Sequence, residues 1–147
     1  MRNIYTMGFT KKSARQFFEL IRAREIDLLI DIRLNNKSQL AGFTKGDDLA
    51  YFLDEICHCG YEHCLAFAPT KELMDSYQNN KIKQPEFEET YNRLLEDRGD
   101  YKDFPNKYGA YKNVCLLCSE ATPERCHRRL LAETLKREFP QLRMEHL

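Results

Sequence analysis

Residues 114–131, VCLLCSEATPERCHRRLL, bring three thiols, an imidazole, two carboxylates and several guanidiniums into one short stretch. An apolar run ends in Cys118, and Glu120 follows two positions later. Thr122 and Pro123 then open a helical pattern whose first turns hold Arg125, Cys126, His127, Arg128 and Arg129. A thiolate attacks or ligates, imidazole and carboxylate move protons, and a helix N-terminus supplies free N–H groups and a positive dipole end. We assign Cys118, Glu120, Cys126 and His127 as catalytic candidates and reserve no residue for metal. The plainer alternative is that Cys126 packs as a small core residue while His127 bonds a backbone carbonyl to fix the loop.

A second constellation lies earlier. Asp31 and Arg33 stand two apart at the end of an apolar run, so their side chains share a face. Such a pair either ties loops together or holds a guanidinium ready for phosphate or carboxylate. No acid falls between Arg33 and Lys45, and Lys37 lies in the same segment, which favours anion binding. Asp31, Arg33, Ser38, Phe43 and Arg128 are the candidate substrate-binding residues. Arg125 and Arg129, four apart, also fit a solvated helix face beside Glu124 and Glu133.

The elements that must position these groups alternate between strand and helix. Residues 3–7 read as a strand closed by Gly8, and Thr10 caps a helix over 11–24 with Phe17, Phe18, Leu20 and Ile21 on its apolar side. Residues 26–32 suit a strand covered on both faces. A second helix spans 47–59 with Gly60 as its stop, and a third strand spans 61–66. A fourth strand covers 113–118, followed by a helix from Pro123 to about Phe139 and a last strand over 142–146. This order implies an α/β class: three layers, a mostly parallel sheet of about four to five strands, and helices on both faces. One domain over residues 1–147 is expected, with 67–112 a long, partly helical connection or lid containing a helix over 85–97. Ligands gather at carboxyl ends of parallel strands, where segments 8–12, 31–43 and 118–129 would converge.

Four pieces of the chain together resemble one family. They are IYTMGFT at the start, LLIDIR after the first helix, the SxxxGF pattern from Ser38 to Phe43, and LLCSEATPERCHRRLLAETL near the end. The family is the domain of unknown function numbered 488, and the likeness covers nearly the whole chain. Cys118, Glu120, Pro123, Cys126, His127 and Arg128 all fall in its last motif, and the Asp31–Arg33 pair adds to it. The family's first motif usually reads Gly-His-Ser, whereas this chain has Gly8, Phe9 and Thr10. The family has no settled activity, so the resemblance bears on fold and site. The outline is also similar to rhodanese-like and Cys-based phosphatase sites, but the interval from Cys118 to Arg125 is one residue too long and lacks Gly.

Composition narrows the remaining classes. Basic and acidic residues number 23 each, giving a formal net charge of +0, so long-range attraction to nucleic acid or anionic membrane is unsupported. No apolar run approaches the ~20 residues of a membrane span, and the first ten residues lack a signal-peptide core, so a cytoplasmic protein is expected. There, the six cysteines should be thiols, ligands or catalytic groups rather than staples. Cys115 reads as a core residue. Cys57, Cys59, His63 and Cys64 offer zinc donors at a spacing that matches no standard ligand arrangement. Tyr77, Tyr91, Tyr101, Tyr108 and Tyr111 either stack nucleobases or anchor the long connection, with anchoring favoured.

Three functions follow. The first is an enzyme acting on a phosphate-bearing, nucleotide or nucleic-acid substrate, with Arg33 and Arg128 on the anion. The second is a non-catalytic module binding an anion or nucleic acid in the same pocket. The third is a metal site of Cys118, Cys126 and His127, with Glu120 as a possible fourth ligand. The residues name no cofactor, and the expected partners are an anionic small molecule or nucleic acid, without a membrane.

Overall fold

The structure is a computed structural model and describes residues 3–37, 41–120 and 126–147. Five parallel strands form one sheet: β1 (Asn3–Gly8), β2 (Leu28–Asp31), β3 (Gly60–His63), β4 (Asn113–Cys118) and β5 (Arg143–His146). Their order is β3-β2-β4-β1-β5. The α-helices of the described residues are α1 (Ala14–Ala23), α2 (Gly46–Phe52), α3 (Lys71–Gln78), α4 (Gln84–Arg98), α5 (Phe104–Tyr108) and α6 (His127–Glu138). No helix of the described residues is long and apolar enough to cross a membrane.

The apolar run of β4 feeds two cores by strict alternation. Val114, Leu116 and Cys118 face a core shared with α3, α4, α5 and α6, built on Phe87, Tyr91, Phe104 and Leu131. Cys115 and Leu117 face the opposite core, where Phe17, Phe18 and Ile21 of α1 meet Leu49 of α2. A strand buried on both faces reads as continuous apolar sequence for this reason. Burial pushes the Cys115 thiol up to about 12, as suits an inert core residue.

This topology creates a crevice. β1 and β2 both neighbour β4, yet α1 and α2 pack on one face of the sheet and α6 on the other. Where crossovers from adjacent parallel strands part to opposite faces, a cleft opens at the strands' carboxyl ends. The ends of β1, β2 and β4 therefore converge, as the order of elements implied.

Several boundaries differ from sequence expectation. Helix α1 starts three residues later, capped by Ser13 in a reciprocal box with Gln16, because Thr10 instead bonds the Ser119 carbonyl through both its N–H and its hydroxyl. The second helix is α-helical only to Phe52, continues as a π-turn over Leu53–Cys57, and ends at a left-handed His58 rather than at Gly60. Gly60 opens β3, and the expected third strand stops at His63 before a 3-10 turn, Leu65–Phe67. The last helix begins at His127 with Cys126 as its cap; Thr122, Pro123, Glu124 and Arg125 lie outside the described residues.

Gly8 is the tightest point in this arrangement. A Cβ there would sit 1.5 Å from the Glu120 carbonyl oxygen, whereas one at Gly42 would meet nothing within 4 Å. Gly8→Ala should therefore lower the unfolding free energy by about 3 kcal/mol, while Gly42→Ala should stay within about 0.5 kcal/mol of the parent. Urea denaturation of the two variants checks this; equal stabilities would contradict the packing at Gly8.

Candidate functional site

Cys118 ends β4, and Cys126 and His127 begin α6, so one strand end and one helix start meet at the crevice. Ligand atoms of these three buried residues lie within 4.8 Å of one another, and they form the only such group among the described residues. A disulfide joins Cys118 to Cys126, with the α-carbons 7.3 Å apart. Both Cys126 and His127 are buried. The helix start explains this: the capping residue and the first helical residue both lie against the sheet end.

His127 is held by its surroundings. Its Nε2 lies 2.7 Å from the Ile32 carbonyl; a carbonyl only accepts, so Nε2 carries the proton and Nδ1 keeps its lone pair. The Tyr91 ring meets the imidazole edge-on at 5.3 Å. Burial brings the His127 pKa down to about 4, opposed by the Ile32 hydrogen bond and assisted by the Arg128 charge. The imidazole is therefore neutral at physiological pH. The plainer sequence reading, a backbone bond from His127, holds for one ring nitrogen and leaves the other available.

Arg128 is fully buried. Its Nη1 donates to the Glu120 carbonyl at 2.5 Å and lies 3.5 Å from Cys118 Sγ. The turn after β4 thus wraps a guanidinium against the bare Gly8 backbone. Lys12 adds a second cation nearby, donating to the Gly8 carbonyl at 2.8 Å. Burial and the Arg128 charge lower the Lys12 pKa.

Asp31 and Arg33 form a closed unit beside this cluster. Arg33 Nε and Nη2 bond the two Asp31 oxygens at 2.8 and 2.6 Å, and Nη2 also donates to the Thr44 carbonyl at 2.6 Å. The Tyr61 hydroxyl donates to Asp31 at 2.7 Å, and burial, reinforced by the Asp31 charge, raises the Tyr61 pKa. Phe9 lies under the guanidinium, 5.2 Å from ring centre to Cζ, and so supports Arg33. Exposure is 0% for Asp31 and 4% for Arg33.

A cavity of about 330 Å³ opens over the cluster. Cys118, Ser119, Glu120, Cys126 and His127 form part of its lining. Met74, Tyr77 and Gln78 of α3 and Phe87 of α4 form the rest. Glu120, Cys118, Cys126 and His127 are therefore brought together as the sequence suggested. Phe43 is not: it packs on Phe17 and Phe18, at 5.4 and 6.0 Å, on the α1 side. Ser38 lies outside the described residues.

The four α3 and α4 residues were missed as a site wall. Their only local signal is the one-turn spacing of Met74, Tyr77 and Gln78 on a short helix. Other aromatic residues anchor, as favoured above: Tyr91 donates to the Phe67 carbonyl and Tyr108 to Glu62, both at 2.7 Å. Arg129 pairs with Glu88 and Glu133. The Cys57–Cys64 donors do not gather: Cys59 bonds the Gly60 carbonyl and His63 the Arg33 carbonyl.

Two stability tests follow. Asp31→Ala should cost about 3–5 kcal/mol by stranding a buried guanidinium, and equal stability in urea would contradict the pairing. For His127, the folded value of about 4 lies below the ordinary 6.5, so in that window the unfolded chain binds a proton the folded one does not. Stability should be full above the ordinary value and be lost as pH falls through the folded one, by on the order of 3 kcal/mol. Urea midpoints in the presence of chelator should show this decline, and His127→Gln should flatten it.

The family model for the domain of unknown function DUF488 matches residues 13–135, a span that includes Asp31, Arg33 and the Cys118–His127 cluster. No curated protein and no solved structure matches the chain. The chain belongs to the DUF488 family.

Proposed function

We propose that the protein is a hydrolytic enzyme whose centre is a zinc-type ion held by Cys118, Cys126 and His127 in their reduced form. The observation that carries this reading is the gathering of two sulfurs and an imidazole nitrogen within 4.8 Å in a buried site beside an open cavity. Three protein ligands with a fourth position toward a cavity is the pattern of catalytic rather than structural zinc. Soft thiolates with imidazole favour zinc over magnesium, calcium or manganese. The Nε2–H bond to Ile32 is the outer support that a ligating histidine needs, because it fixes the tautomer.

The ion would supply Lewis acidity at the cavity's inner end. Glu120, lining the same cavity, takes the proton from the attacking water and returns it to the leaving group. Arg128, through its bond to the Glu120 carbonyl, acts as a positioning residue for the loop. Residues 67–112 supply the cover through α3 and α4. A reducing cytoplasm is the compartment in which the pair would hold metal.

Arg33 supports an anionic substrate less well than its sequence context suggested, since Asp31 and Thr44 occupy its donors. The disulfide favours a second reading, a redox pair that passes two electrons to a substrate disulfide. One experiment separates the two. Protein purified under reducing conditions without chelator should contain about one equivalent of zinc per chain. Cys126→Ala should lose it and Cys57→Ser should retain it. Only traces of metal in reduced, folded protein would overturn the zinc reading in favour of the redox pair.

A further inference from the structure

We infer that the cavity over Cys118 takes an uncharged, planar nitrogen heterocycle of nucleobase or nucleoside size, an inference that rests on the hydrolytic zinc reading for its chemistry. The volume of about 330 Å³ lies at the low end of small-molecule sites and suits a ring system with a modest substituent. Part of the lining is aromatic. Tyr77 and Phe87 lie with ring centres 4.5 Å apart and planes 30° apart, and Phe87 stacks on Tyr91 at 6.3 Å. A supported aromatic wall of this kind favours a flat π-system, and stacking on it tolerates any base.

The polar groups decide the charge. None of the described lining residues is Lys or Arg, and Glu120 is the one formal charge they carry besides the cluster itself. With a dication on two thiolates, the Arg128 guanidinium behind Cys118 balances Glu120, so the described charges at the cavity sum to about zero. Arg129, on the adjoining helix, is committed to Glu88 and Glu133. Away from the ion, phosphate would meet a carboxylate with no Lys or Arg among the described lining residues to receive it, and losing its hydration would go uncompensated there. The lining also carries Gln78, Ser119 and Glu120, polar groups that a purely apolar ligand would not use. Those three groups match the alternating donors and acceptors on the edge of a heterocycle.

The test is a binding panel on reduced protein whose zinc content is measured on the same sample. Cytosine, adenine, cytidine and adenosine are compared with cytidine and adenosine monophosphates by calorimetry and saturation-transfer NMR. At least one uncharged probe should bind saturably and at least about tenfold more tightly than its monophosphate. Tyr77→Ala should weaken that binding by roughly tenfold, in line with the loss of one stacking partner, and Phe87→Ala, which removes the ring packed against Tyr77, should weaken it as well. Phe87 is buried, so circular dichroism checks its variant, and half-buried Tyr77 carries the test where that variant fails to fold. The inference is overturned if no probe binds, if monophosphates bind as tightly, or if folded variants bind like the parent. Stoichiometric zinc without heterocycle binding would remove this inference alone. Heterocycle binding without zinc would uphold the cavity and remove the metal centre.

Discussion

The buried Arg128 side chain sets the geometry on which the site depends. A guanidinium removed from water is tolerated only when its protons meet acceptors of good geometry. Here Nη1 reaches both the Glu120 carbonyl and the Cys118 sulfur, drawing the turn after β4 back onto the sheet end. That turn crosses Gly8 so closely that no side chain fits there. The same fold-back presents Cys118 and Glu120 to the cavity and leaves α6 to start with Cys126 and His127 beside them. One cation thus links the end of β1, the end of β4 and the start of α6.

The neighbouring Asp31–Arg33 unit carries out a different task with similar chemistry. It is bidentate, supported by Tyr61 and Thr44 and covered by Phe9. Its hydrogen bonds bind the end of β2 to the loop that leads to α2. The adjacent Ile32 carbonyl then points to His127, so the rigid pair fixes the direction of the one backbone acceptor the imidazole uses. A motif that resembles a ligand clamp in sequence therefore supports the centre from behind.

Much of this was legible from local pattern. The double-sided burial of β4 follows from VCLL, and the strand–helix alternation implied a parallel sheet with its carboxyl ends together. The grouping of Cys118, Glu120, Cys126 and His127 followed from proximity along the chain. What escaped was long-range. Thr10 fails to cap α1 because Ser119, far along the chain, claims its hydroxyl. Arg33 reads as an anion ligand until Thr44 and Asp31 are seen to surround it. Phe43 belongs to the aromatic cluster of α1, and the cavity wall comes from α3 and α4, which carry no motif. The segment from Cys57 to Cys64 holds the right donor types, but a π-turn and a strand start send them apart.

The central claim is that two sulfurs and one imidazole share an ion with a position open to the cavity. Zinc-edge X-ray absorption on the reduced protein reports that coordination shell directly. The expected shell holds two sulfurs at about 2.3 Å and lighter atoms at about 2.0–2.1 Å, one from His127 and the remainder from solvent. A shell of nitrogen and oxygen alone, or of four sulfurs, would contradict it.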